Sequence, residues 1–231
     1  MNSTPSVAPL VPGGLRGATG LNQAGGAVSR ADYEYEVCFK CHGISDQVTP
    51  FRVIRADNDR NVRSELSQGN PSHHAVAAVG RKPGMGGFEP GYSASSINRC
   101  TDCHSPHGSQ FGPMLKQAYE MNDVTPESFV SYELCYGCHN RGHLINDQAN
   151  TFQHKLHVQD ANAPCAVCHD AHGSRENEHL INFMLVDPSG NTVVTESAST
   201  GRLEYIPGVG PGSGDCYLSC HGVEHAPLSY P

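Results

Sequence analysis

Ten cysteines in a chain of 231 residues fall into five pairs, and a histidine follows the second cysteine of every pair. Four pairs read CxxCH: Cys38, Cys41 and His42; Cys100, Cys103 and His104; Cys135, Cys138 and His139; Cys165, Cys168 and His169. The fifth reads CYLSCH, with Cys216, Cys220 and His221, and has three residues between its thiols instead of two. With 14 histidines in the whole chain, five such successions exclude chance. Two thiols on one turn can add to the two vinyl groups of a porphyrin, and the adjacent imidazole then swings under the iron as proximal ligand, so CxxCH marks attachment of c-type haem. A disulfide framework needs no histidine after each pair. Structural zinc pairs a CxxC with a distant second pair, and a thioredoxin-like dithiol needs only one motif. The cysteines therefore predict five covalently bound c-type haems, with the extra residue of the fifth motif bulging the loop between its thioethers.

The rest of the composition fits a chain folded around cofactors. There is no Trp, and 7 Phe and 9 Tyr can fill only a thin core, so the porphyrins are expected to supply much of it. With 25 Gly and 16 Pro, long regular elements should be few. The expected fold is mostly irregular, with short α-helices and a small β-hairpin, wrapped around a stack of five haems. A net charge of −8 argues against nucleic acid, which needs a basic footprint. No apolar run is long enough to span a membrane. The N-terminus MNSTPSVAPLVPGG has neither the basic nor the apolar region of a signal peptide. Haem is attached to CxxCH outside the cytoplasmic membrane, so the precursor is expected to carry such a signal ahead of this numbering.

Four segments follow from composition and an internal repeat. Residues 1–28 form a Gly/Pro-rich tail, expected to be a linker, to lie across its own domain or to contact a neighbouring subunit. Residues 29–115 and 116–185 are two-haem modules. YEVCFKCHG at 35–43 matches YELCYGCHN at 132–140, and HHAV at 73–76 matches HKLHV at 154–158. CTDCHSPHGS at 100–109 matches CAVCHDAHGS at 165–174, and each is followed by Met-Leu, at 114–115 and 184–185. An insertion at 49–69 and the Gly-rich segment 80–93 lengthen the first module. Residues 186–231 hold a hairpin or linker and the fifth motif. Ser29 with Asp32, and Thr125 with Pro126 and Glu127, predict N-caps of helices that deliver the first and third motifs. The Asp-Pro-Ser-Gly at 187–190 predicts a hairpin turn.

Beyond the five proximal candidates His42, His104, His139, His169 and His221, nine histidines remain. Distal ligation of five bis-histidine haems would use most of them. His107 and His172 lie three residues after a proximal histidine in both modules, and His74 and His157 occupy matching places before the second motif of each. These four are the strongest distal candidates. His107 and His172 lie too near their own motif histidines to reach the far face of the same haem, so they should ligate the first haem of each pair, at His42 and His139. His225, His143 and His154 are further distal candidates, while His73 and His179 are expected to be non-ligands. Met85, Met114, Met121 and Met184 could ligate iron, but the Met-Leu positions suggest packing.

The pattern CxxCH…His…CxxCHxxHGS resembles the doubled-CxxCH family of multihaem cytochromes over roughly residues 30–185. That resemblance implies an electron-transfer protein and includes periplasmic carriers, surface cytochromes and extracellular cytochrome filaments. It implies self-association into a filament, transfer to other cytochromes or to a mineral or cell-surface acceptor, and an extracellular or cell-surface location. The alternative is a discrete periplasmic five-haem carrier. In one such filament type a histidine of one subunit ligates a haem of the next. A reductase would need an iron with an open position, and the abundance of histidine argues that every site is closed. Pentahaem nitrite reductases resemble the chain only in haem count.

Overall fold

The computed structural model describes residues 8–44, 53–58, 60–82, 86–146, 152–210 and 212–230. The described chain is mostly loop. Its helices are α1 (Glu34–His42), α2 (Val62–Glu65), α3 (Cys100–Cys103), α4 (Glu133–Tyr136), α5 (Arg141–Ile145) and α6 (Cys165–Cys168), with a π-helical turn at Lys155–Asp160. Its strands are β1 (Gly20–Leu21), β2 (Ala27–Val28), β3 (Ile54–Arg55), β4 (Ser72–His73), β5 (Gly173–Ser174), β6 (Met184–Val186), β7 (Val194–Thr195), β8 (Glu204–Pro207), β9 (Gly214–Cys220) and β10 (Val223–Tyr230). Among the described residues no helix is long and apolar enough to cross a membrane. Residues 1–7 of the tail and Met85 lie outside the described residues.

The loop-rich fold with short helices matches expectation, and the hairpin forms where the turn residues place it. Val186 bridges Thr192, and the Asp187 N–H donates to Asn191 O at 3.0 Å. The strands extend further than the sequence suggests. β9 is the centre of a four-stranded antiparallel sheet, paired with β7, β8 and β10. The fifth cysteine pair therefore lies in an extended strand, not on a bulged loop.

The two repeats interlock. β3 of the first pairs with β6 of the second, and β4 pairs with β5 in the register Ser72↔Ser174 and His73↔Gly173. Gly173 is required for this approach, since a Cβ there would lie 2.1 Å from the Glu65 carbonyl oxygen. Three small apolar clusters result, around Phe39 and Leu66, around Tyr132 and Tyr136, and around Met184, Val194 and Leu218. Cysteines border every cluster: Cys100 the first, Cys135 and Cys165 the second, and Cys168 and Cys220 the third, with Cys216 inside it. The tail from Ala8 to Val28 packs on its own chain. Ala8 and Leu21 are buried in the Phe39 cluster, and the Glu34 N–H donates to Pro9 O at 3.0 Å.

Neither expected helix start holds. α1 begins at Glu34, not after Ser29, because the Glu36 carboxylate caps it by accepting from the N–H groups of Asp32 (2.8 Å) and Tyr33 (3.1 Å). Residues after Thr125 form turns, and α4 starts only at Glu133. Glu127 is drawn away from capping by distant partners: its carboxylate is buried and accepts from Arg141 Nε (2.8 Å), Tyr136 Oη (2.9 Å) and Gln159 Nε2 (2.9 Å). The Arg141 hydrogen bond is the main cause that holds the Glu127 pKa below its usual value. A depressed folded pKa means stability that is present above the ordinary carboxylate range and lost as pH falls through the folded value. Glu127→Gln is expected to lose about 1.5–3 kcal/mol at neutral pH. The gap to the parent should close below about pH 4 in acid-unfolding curves.

Candidate haem-binding sites

Residues three apart on a helix share a face. The last turn of α1 carries Cys38 and Cys41, and α3 and α6 run from Cys100 to Cys103 and from Cys165 to Cys168. Cys135 lies in α4 and Cys138 follows it by two residues past the helix end. No disulfide joins any of the ten cysteines. Burial raises Cys135 and Cys216 to about 12, and Cys103 and Cys220 to about 11.

The second and fourth motifs share a return loop. After His104 the chain comes back so that Ser105 N–H donates to Met114 O (2.7 Å), Lys116 N–H to Cys103 O (2.8 Å) and His104 Nδ1 to Pro113 O (3.2 Å). After His169, Asp170 N–H donates to Leu180 O (2.9 Å), Asn182 N–H to Cys168 O (2.9 Å) and His169 Nδ1 to His179 O (2.8 Å). Met114 and Leu180 are thus equivalent, both left-handed at φ 59° and 60°. The shared Met-Leu had equated Met114 with Met184; the structure overturns this, because the matching backbone hydrogen bond falls on Leu180, four residues before Met184. Met184 is fully buried, whereas Met114 is exposed.

A carbonyl on Nδ1 fixes the imidazole tautomer and leaves the Nε2 lone pair for a metal. His74 donates from Nδ1 to Ala171 O, and His157 to Gln153 O at 2.8 Å. His172 gives its Nδ1 to the Glu65 carboxylate at 3.0 Å, with Asp170 at 3.9 Å. Burial lowers its pKa, but the Glu65 hydrogen bond and charge outweigh this and lift it to about 9. Burial also lowers His74, His104, His139, His154 and His169, the last three to about 4. These five are neutral imidazoles, the form that binds metal.

Four histidine pairs face each other at nearly one spacing. Ring centres are 6.2 Å apart for His74–His139 and for His104–His172, and 6.4 Å apart for His154–His169 and for His157–His225. Two imidazoles that share one metal through bonds of about 2 Å have ring centres about 6.4 Å apart. The donor sets and their spacing therefore fit bis-histidine iron. Two pairs cross the repeats, His74 with His139 and His104 with His172. The β4–β5 pairing causes this by placing His74 N–H on His172 O at 2.9 Å. His172 thus faces His104 and not His139.

The other candidates are placed differently. His42 and His107 are exposed, and neither belongs to the four facing pairs among the described residues. The His143 ring lies against Gly87, where a Cβ would come within 2.3 Å of it; that glycine is left-handed at φ +81°. His221 places Nε2 on Asp123 Oδ2 at 2.7 Å. His73 is buried, with Nδ1 3.0 Å from His74 O. The sequence reading missed Glu65, Asp170 and Phe152, whose ring lies 4.8 Å from His154 and 5.1 Å from His157. Only strand pairing brings Glu65 to His172, so no local pattern marks it.

The thiols of successive motifs are neighbours. Glu34 in α1 accepts from Thr101 N–H (3.1 Å) and Oγ1 (2.8 Å), which ties the first motif to the second. A hydrogen bond between Cys100 and Cys38 lowers the Cys38 pKa and raises that of Cys100. Beyond the burial that raises all three, Cys103 feels Cys138, Cys165 feels Cys135, and Cys168 feels Cys216 and Cys220. The five motifs thus adjoin in chain order.

Residues 95–143, which contain the second and third motifs, match the family model described as the doubled CXXCH motif. This supports a multihaem c-type cytochrome family, with covalently bound c-type haem and a role in electron transfer. No curated protein and no solved structure matches the chain.

Proposed function

We propose that the chain carries five c-type haems and conducts electrons along them in motif order, without catalysing a substrate reaction. The observation that carries this reading is the repeated histidine pair at 6.2–6.4 Å beside successive cysteine pairs. Bound haem supplies one-electron redox chemistry. The chain supplies the thiols that fix each site, the imidazoles that close both axial positions, and the carbonyls and carboxylate that orient them. His74 and His139 would hold the third haem, His104 and His172 the second, and His154 and His169 the fourth.

Assembly into an extracellular or cell-surface filament, passing electrons to other cytochromes or to a mineral or surface acceptor, is the fuller form of this proposal. It is supported by the first motif, where Cys41 and His42 are exposed and His42 belongs to none of the four facing pairs among the described residues. A second copy could complete that site. A discrete periplasmic carrier is the second reading, favoured by the tail, whose described residues pack on their own chain. The holoprotein is expected to contain five haems per chain by pyridine haemochrome assay. All should be six-coordinate and low-spin, with no carbon monoxide bound after reduction. Stoichiometric carbon monoxide binding in the native assembly would sink the closed-site reading. Electron microscopy of the native secreted protein separates fibres from single particles.

A further inference from the structure

Two glutamates buried beside the cysteine motifs are partnered in different ways. The side chains of Glu34 and Glu127 are only 2% exposed, and each has one half-exposed arginine nearby, Arg99 and Arg141. Arg141 closes on Glu127 as a fork, with Nε at 2.8 Å from Oε1 and Nη2 at 2.5 Å from Oε2. Tyr136 and Gln159 complete that carboxylate. Arg99 does not close on Glu34. Its Nε stops 3.7 Å from Glu34 Oε2, beyond hydrogen-bond reach. Both atoms are buried, and neither has a hydrogen-bond partner among the described residues. Burial of an ionised carboxylate is costly unless it is paired, so one left half-paired marks a place where the charge itself has a use.

The position of that charge is specific. Glu34 opens α1 four residues before Cys38, so the two share a helix face. Its Oε1 accepts from the N–H and Oγ1 of Thr101, the residue that follows Cys100 in α3. The carboxylate therefore abuts the first cysteine of the first motif and the first cysteine of the second. After their mutual hydrogen bond and burial, both thiols also feel the Glu34 charge, which pushes each of them up. The internal repeat supplies a contrast. The residue that corresponds to Glu34 ahead of the third motif is Ser131, an uncharged side chain whose hydroxyl bonds to Ser128 Oγ and Pro126 O.

We infer that Glu34 is a fixed negative charge shared by the first two haem sites, and that it holds both below the third and fourth in potential. This rests on the reading that the first four motifs carry haem, and the paired thiols on one helical turn in α1 and in α3 fit that group. A nearby negative charge favours ferric iron, the more positive state, over ferrous. In the second module the contact pairs Glu127–Arg141 and Asp170–Arg55 cancel most of the charge of their carboxylates. Electrons that enter at the exposed Cys41 and His42 then run from lower to higher potential as they pass from the second motif to the third. Glu34 thus gives the conduction a direction, with the first motif as the entry end.

The test is spectroelectrochemical titration of the holoprotein beside Glu34→Gln and Arg99→Gln, with attached haem located by mass spectrometry of peptides. Parent peptides that carry the first two motifs without haem would remove the haem reading itself. With both haems attached, Glu34→Gln is expected to move two components upward, the two lowest of the parent, and to leave the others in place. Glutamine keeps an acceptor for Thr101, so a purely structural Glu34 predicts no shift. Arg99→Gln removes the compensating cation and should move the same two components downward. The inference is overturned by an unmoved Glu34→Gln titration, by a shift confined to one component or to the higher ones, or by shifts of the same sign in both variants. If Glu34→Gln does not fold, Arg99→Gln decides, since its side chain is 41% exposed. Two lowest components displaced downward then support the shared charge, and unmoved or raised ones refute it.

Discussion

Replacing Arg55 by methionine is expected to destabilise the holoprotein by about 3–5 kcal/mol, the cost of leaving one half of a buried ion pair unpartnered. Arg55 Nε lies 3.1 Å from Asp170 Oδ2, and both side chains are only 11% exposed. Its Nη1 donates to Asn182 O at 2.7 Å and to Ala166 O at 3.0 Å, the latter inside the CAVC turn of the fourth motif. Asp170 in turn accepts the His172 N–H at 3.1 Å. One guanidinium therefore binds β3 of the first repeat to the fourth CxxCH motif and to the segment that carries His172. Lys82–Glu178, exposed at 43% and 38%, is a contrasting pair worth about 0–1 kcal/mol. The measurement is a urea midpoint, which should fall with little change in slope. Arg55→Met combined with Asp170→Asn should recover part of the loss, because the buried charge goes with its partner. A loss near that of an exposed pair in the single variant would mean that Asp170 is satisfied by solvent and that the repeats are joined elsewhere.

What could be read from the sequence was whatever a few adjacent residues decide. CxxC on one helical turn, the Asp-Pro-Ser-Gly hairpin and the scarcity of long elements are local consequences of spacing and turn chemistry. The helix starts at Ser29 and Thr125 were not legible. A capping carboxylate at Glu36, and distant partners that hold Glu127, outcompete the local signals. Histidine pairing was less legible still. His172 faces His104 because β4 pairs with β5, and no spacing within either repeat encodes that crossing. The fifth motif was ambiguous for the same reason. Three residues between thiols suggest a bulged loop but also suit a single face of a strand, and only the sheet around β9 decides which.

Glu65→Gln is expected to raise the potential of the haem that we propose His104 and His172 to hold by about 60–120 mV. The Glu65 carboxylate lies 3.0 Å from His172 Nδ1 and accepts its N–H; with iron bound at Nε2 this would be a carboxylate–histidine–metal relay, which would make the imidazole a stronger donor. A stronger, more negative donor favours ferric over ferrous iron and holds the potential down. Loss of such a partner weakens the metal–ligand interaction by about 10–100-fold. If that loss falls on the ferric state, a one-electron couple moves by about 59 mV per tenfold. Glutamine keeps the hydrogen bond and removes the charge, so the readout separates charge from orientation. Asp170→Asn, from 3.9 Å, should shift the same haem less. Spectroelectrochemical titration of all haems together should show one component displaced upward and the others unmoved, with haem content unchanged. If no component moves, His172 does not bind iron through the ring that Glu65 holds, and the His104–His172 assignment falls with it.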